Sequence, residues 1–282
     1  MSQFPKQQGH YGRKLYITPD DVTVSKKGFV AGGEMSIGNK GGSIVLPGNP
    51  GVVALFDDFL GDVIADQWNA AEGDTGHDTI AVQAVTNGVA RMHLSSSATK
   101  DVTAYCVLNH GLFPQWKADQ GNLRIGARLK IDNTDGANVF IGFTDTGAAE
   151  MPVYDTGDDG AVPLANASNA VGWLFSGGDA SPSTVWRGVA VNADTVATPV
   201  DGAAPTNNVY SVLEIELSDT GAGGDGKVAK FYQDGVCKGS ITSPVLATRA
   251  MTPVLAAFSS EDTGTVIDLD WINPSANRDS GT

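Results

Sequence analysis

The run Val209–Ile241, VYSVLEIELSDTGAGGDGKVAKFYQDGVCKGSI, leaves room for little besides three consecutive antiparallel strands. Leu213, Ile215 and Leu217 fall on one face of the first, with Val212, Glu214 and Glu216 on the other, which is the two-residue period of a half-buried strand. A Gly-rich loop, TGAGGDG, follows. Lys227–Gln233 and Val236–Ile241 then flank Asp234-Gly235, a dipeptide suited to the positive φ angles of a two-residue hairpin. A meander of this kind has one apolar face and must bury it against a second layer.

The same grammar runs through most of the 282 residues. Further strands are expected at Val53–Phe59, Thr79–Val85, Val89–Ser95, Thr103–His110, Asn122–Asp132, Asn138–Thr144, Val171–Ser176, Val185–Asn192, Pro253–Ser259 and Val266–Ile272. Asn122–Asp132 alternates most cleanly: Leu123, Ile125, Ala127, Leu129 and Ile131 face in, Arg124, Arg128 and Lys130 out. Asn87-Gly88 reads as a hairpin turn. The one candidate helix is a short stretch at Phe113–Asp119. With 41% hydrophobic residues and 35 glycines, this pattern predicts an all-β chain whose strands divide into two packed antiparallel sheets. Two long loops, Thr146–Asn169 and Asp194–Asn208, interrupt it.

Residues 1–51 differ. Gly and Pro punctuate them every few positions, in PKQQGHYG, SKKGFVAGGEMSIGNKGG and LPGNPG, leaving only short strand-like pieces. An extended arm, ordered against something else, is expected there, followed by a β-sandwich over 52–274 and a tail over 275–282. Charge divides the same way. The first 50 residues carry six basic and three acidic side chains, whereas the rest carries a net −17 within a chain total of −14. So acidic a body excludes unaided nucleic-acid binding, which needs a basic surface. No apolar run approaches the roughly 20 residues that span a bilayer. The segment MSQFPKQQGHYGRK lacks the apolar core of a cleaved export signal, so synthesis in a cytoplasm is expected. Cys106 and Cys237 each sit among apolar neighbours in a strand, and two buried free thiols are expected.

Several segments resemble one family of sandwiches. FDDFLGDVIADQWN at Phe56–Asn69 resembles the opening strand of concanavalin A-like, laminin-G-like domains. NLRIGARLKI and NVFIGFTD, within Asn122–Asp145, resemble their central strands; LEIELSD and KFYQDGVCKG resemble their hairpin; VIDLDWINP at Val266–Pro274 resembles the closing strand, which returns beside the first. The resemblance implies a two-sheet antiparallel jelly roll. It is a fold used by lectins, adhesion modules, glycanases and structural proteins of tailed-phage particles, and a sandwich behind a Gly-rich arm is most similar to the last group.

Candidate chemistry follows from that list. The glycanases of this superfamily place carboxylates at i, i+2 and i+5 of one strand, reading Glu-x-Asp-x-x-Glu; Glu214, Glu216 and Asp219 match the spacing but not the identities. Asp155, Asp158 and Asp159 in DTGDDG, or Asp145, could offer oxygens to Ca²⁺, but the EF-hand register is missing, so no metal or other cofactor is expected. Trp173 and Trp186, on neighbouring strands, are the candidate sugar-stacking pair, with Trp68, Trp116 and Trp271 read as packing residues. In the arm, Phe4, Lys6, Tyr11, Arg13, Lys14 and Tyr16 combine apolar and basic side chains suited to gripping an acidic, notched surface. The expected function is therefore structural. It is a tailed-phage virion protein that decorates the capsid, bound through its arm to capsid protein or a neighbouring subunit, and clustered as a homo-oligomer. A glycan-binding head or tail-fibre module is the alternative, and a β-glycanase the third reading.

Overall fold

A computed structural model describes residues 10–11, 14–15, 52–60, 64, 68–73, 78–83, 85, 88–94, 105–109, 116–146, 151–154, 164–177, 184–219, 227–259 and 264–277. Within the arm this covers one short antiparallel pairing, β1 (His10–Tyr11) with β2 (Lys14–Leu15). The body contains β3 (Val52–Ala54), β4 (Asn69–Glu72), β5 (Thr79–Gln83), β6 (Val89–Leu94), β7 (Tyr105–Asn109), β8 (Leu123–Ile131), β9 (Ala137–Thr144), β10 (Val153–Tyr154) and β11 (Leu164–Ala165). It continues through β12 (Asn169–Ser176), β13 (Arg187–Asn192), β14 (Thr195–Val196), β15 (Val200–Asp201), β16 (Ser211–Asp219), β17 (Lys227–Gln233), β18 (Val236–Thr242), β19 (Thr252–Ser259) and β20 (Thr265–Asn277).

Two antiparallel sheets take up all of the body strands except β10 and β11, which pair with each other. The first runs β14-β13-β12-β9-β19-β7-β4, with β15 also on β13; the second runs β18-β17-β16-β8-β20-β6-β5, with β3 on β20. The closing strand does return beside the first, Ser275 opposite Ala54. The two segments read as central strands each have neighbours on both sides, but in opposite sheets: β8 in the second, β9 in the first.

The alternation read from β8 and β16 is realised. Leu123, Ile125, Ala127, Leu129 and Ile131, with Leu213, Ile215 and Leu217, are all buried against the first sheet. Between the layers Trp173 meets Phe231 edge-on, ring centroids 5.5 Å apart. A side chain at Gly188 would collide with that ring, since a Cβ there would stand 2.6 Å from Phe231 Cγ. At the opening of the body, Asp57 accepts hydrogen bonds from the Phe59 N–H and the Trp68 indole N–H, both 2.9 Å, which seats two buried aromatics. The Asp234-Gly235 turn takes φ values of 52° and 75°, as the hairpin reading requires; Gly88 takes 64°, but Gln83 pairs with Val89 across a longer connection, and Asn87 lies outside the described residues.

Three expectations change. Among the described residues the Phe113–Asp119 helix reduces to a 3₁₀ turn at Ala118–Gln120, because buried Trp116 bridges to Met251 as extended chain. Cys237 is exposed, not buried: it lies on the edge strand β18, opposite Tyr232 in the outward register. Cys106 is buried as expected, and burial beside the Asp78 and Glu72 charges pushes its thiol far above the ordinary range. The last strand also runs to Asn277, into the stretch read as tail. No helix among the described residues is long and apolar enough to cross a membrane.

The outer face of the second sheet is laced by ion pairs. Arg91 grips Asp268 through two nitrogens, at 2.6 and 2.9 Å, and Lys130 adds a third contact at 3.1 Å. Burial disfavours the Asp268 charge, but the two cations outweigh it and hold the carboxyl below its usual range. A folded-state pKa below the unfolded one gives stability that is present above the ordinary carboxylate pKa and lost as pH falls through the folded value. Asp268→Asn should therefore cost about 2 kcal/mol at neutral pH. Urea midpoints of variant and parent should converge as pH drops below about 3.9; a gap that persists in acid would show that the pair is not the cause.

Candidate functional site

Because β8, β16, β17 and β20 bury one face, every second residue is delivered to the other. Cross-strand registers line these up in rows. Tyr232, Glu214, Gly126 and Asn273 form one row, and Lys230, Glu216, Arg124 and Ser275 form the next. Over both rows lies a groove of about 510 Å³, lined by Arg124, Gly126, Glu214, Glu216, Tyr232, Trp271, Asn273 and Ser275 among others.

Trp271 enters this groove through a fault in the strand. In β20 Leu269 faces Leu129 and Trp271 faces Arg128, so Asp270 is an extra residue and the register shifts. The bulge reverses parity: Ile267 and Leu269 are buried before it, Ile272 and Ala276 after it. Asp270 and Trp271 thus both turn outward, and Asp270 is fixed to Arg128 at 2.6 Å. Arg128 in turn lies 4.0 Å above the Tyr210 ring. The Trp271 indole comes to rest over Gly126. A Cβ there would lie 3.2 Å from Trp271 Cζ3 and 3.5 Å from Glu214 Cγ, so a side chain at this position would press the ring back by a few tenths of an ångström.

The electrostatics are uneven. Glu216 is paired with Arg124 at 3.0 Å. Glu214 is exposed. Burial and the nearby Glu216 carboxylate push the Tyr232 phenol above its usual range, opposed by Arg124. The site therefore offers two aromatic surfaces, one neutralised Arg–Glu pair, one exposed carboxylate and the small polar side chains of Asn273 and Ser275.

The residues expected from sequence distribute differently. Trp173 and Trp186 are both fully buried, which overturns their reading as a sugar-stacking pair: they occupy the space between the sheets. The Trp173 indole N–H donates to the Glu214 carbonyl at 3.2 Å, and Trp186 leans on Phe175 with centroids 5.5 Å apart. Arg187 faces Asp201 at 3.9 Å. Trp68 and Trp116 are core residues as expected, but Trp271 is not. The signal for it was present: apolar positions advance by two through Ile267 and Leu269, then by three to Ile272, which marks a bulge.

Of the three carboxylates read as a catalytic set, Glu214 and Glu216 share the groove face. The β16–β17 ladder runs without a shift from Leu213↔Gln233 to Asp219↔Lys227, so position 219 falls in the opposite register to 214 and 216. Asp145 is occupied as a structural acceptor. Its carboxylate takes hydrogen bonds from the backbone and side chain of Asn169 at 3.0 and 3.1 Å, and from Arg249 at 2.9 Å. Asp155, Asp158 and Asp159 lie outside the described residues, and no cluster suited to a metal ion occurs among those described. Phe4, Lys6, Arg13 and Tyr16 also lie outside them, while Tyr11 and Lys14 enter only as paired backbone.

Trp173→Ala should lower stability by about 3–5 kcal/mol, because it empties a large inter-sheet site. Trp271→Ala should change it by less than about 1 kcal/mol, since that ring stands on the sheet's outer face. Denaturant melts of the two variants side by side check the assignment, and equal losses would refute it.

No family model and no curated protein sequence matches the chain. Solved structures do. A Bacillus licheniformis β-glucanase superposes with a TM-score of 0.52 at 14% identity, covering 78% of this chain and 97% of that one. The carbohydrate recognition domain of Emp47p gives 0.51 at 10% identity, covering 80% and 97%. A protein of unknown function from Shewanella oneidensis gives 0.50 at 15% identity, covering 93% and 95%. Identities this low speak to architecture alone, and the architecture is plain: the chain has the two-sheet, concanavalin A-like jelly-roll fold found in glucanases and lectins.

Proposed function

We propose that this protein binds carbohydrate in the groove on the outer face of its second sheet. The observation that carries the reading is Trp271, turned outward by the β20 bulge and held over Gly126 beside Glu214. Sugar rings present apolar C–H faces that stack on aromatic rings, and hydroxyls that take up carboxylate, amide and hydroxyl partners. Trp271 and Tyr232 supply the first need; Glu214, Asn273 and Ser275 supply the second. The superposed β-glucanase and carbohydrate recognition domain support a glycan as the ligand class.

Hydrolysis is a second reading, favoured by the two carboxylates of Glu214 and Glu216 on one strand face. Binding is placed first because Glu216 is tied to Arg124 and position 219 falls in the opposite register, which removes the third member of the expected set from that face. The virion-decoration reading rests on residues 1–51, and neither the fold nor the superposed structures add support to it.

Native gels cast with a panel of soluble polysaccharides test the proposal. At least one polymer should retard the parent protein, Trp271→Ala should migrate as in a plain gel, and Tyr232→Ala should be retarded several-fold less. Undiminished retardation of Trp271→Ala would move the ligand elsewhere. Reducing ends released by the parent and lost in Glu214→Gln would convert the binding reading into the hydrolytic one.

A further inference from the structure

On β8, β16, β17 and β20 the described carboxylates that face outward are four, and three of them have a cation. Asp268 has Arg91 and Lys130, Asp270 has Arg128, and Glu216 has Arg124. The fourth, Glu214, has neither an ion-pair nor a hydrogen-bond partner for its carboxylate among the described residues, and it is the one that lies in the groove between aromatic neighbours. Tyr232 stands directly opposite it on β17, and the Trp271 ring lies across Gly126 on its other side. The groove's own cation, Arg124, is already matched by Glu216, and Lys230 stands one row away, opposite Glu216. The groove lining itself, with Arg124 against Glu214 and Glu216, is thus one charge negative, on a body whose residues 51–282 sum to −17.

From this we infer that the groove recognises a glycan unit bearing a free, protonated amine, whose ammonium sits on Glu214 beside the rings of Trp271 and Tyr232. The inference rests on the carbohydrate-binding reading and narrows it. An ammonium supplies the cation that Glu214 lacks, through charge-assisted hydrogen bonds. The two rings add cation–π attraction, which acts within about 6 Å of a ring centroid. The field of the acidic body draws such a ligand in and repels uronic or sulfated chains. A neutral hydroxyl in the same place gains only the hydrogen bond. At an exposed site these contributions together make the amine favoured by about tenfold.

The test is calorimetric titration of the full chain with three β-1,4-linked tetramers: glucosamine, its fully N-acetylated counterpart, and the glucose counterpart. The glucosamine tetramer should bind about tenfold more tightly than either of the others. High salt should erode that preference, Glu214→Gln should abolish it, and Trp271→Ala should weaken all three ligands. Equal affinities for the three tetramers, or a preference for the amine that survives in Glu214→Gln, would overturn the inference while leaving carbohydrate binding intact. No binding of any tetramer would also overturn it, and the polysaccharide gels would then decide the broader reading by themselves.

Discussion

The outer surface of the second sheet is placed by what its inner surface must bury. β8 and β16 each present an unbroken series of apolar side chains to the first sheet, from Leu123 to Ile131 and from Leu213 to Leu217. Slipping either strand by one residue would force Arg124, Arg128, Glu214 or Glu216 into the space between the layers, unpaired and dehydrated. Register is therefore fixed from inside. The rows that form the groove are a consequence of it, assembled without any contact of their own having to specify them.

The same logic explains why buried Trp173 matters to a surface it never reaches. Its ring packs on Phe231, one residue before Tyr232, and its indole N–H holds the carbonyl of Glu214. The two strands that carry Glu214 and Tyr232 are thus braced from the opposite sheet. Ion pairs complete the support from outside. Asp270 is anchored to Arg128, which stacks on Tyr210, and these contacts lie at the bulge that turns Trp271 outward. A rigid support of this kind suits recognition, because little side-chain freedom remains to be lost when a ligand arrives.

Much of this was legible in the chain. Strand positions, the Asp234-Gly235 turn, the inward set of β8 and the return of the last strand beside the first follow from local alternation and turn chemistry, each of which spans only a few residues. The candidate site was half legible. Glu214 and Glu216 were visible as outward carboxylates, because parity within one strand is a local property. Trp271, read as a packing residue, stands instead in the groove, because the extra residue Asp270 shifts the parity of β20 after Leu269. Trp173 and Trp186 were misplaced for a different reason. A tryptophan in a strand can stand on either face, and at β12 and β13 both faces of the sheet are buried, so the polar–apolar contrast that would reveal the choice is missing.

The sequence by itself determined a two-sheet β-sandwich, an acidic body behind a Gly-rich segment, and which residues of each regular strand share a face. Those properties depend on neighbours two to four positions apart. Only the tertiary structure decided which strands adjoin, and hence that Tyr232, Glu214, Gly126 and Asn273 share a row although they span 148 positions of the chain. It also decided which carboxylates find cations, since Arg91 meets Asp268 across 177 positions and Glu214 meets none among the described residues. Pairing at that range is set by how the two apolar faces fit together, and no local pattern encodes it.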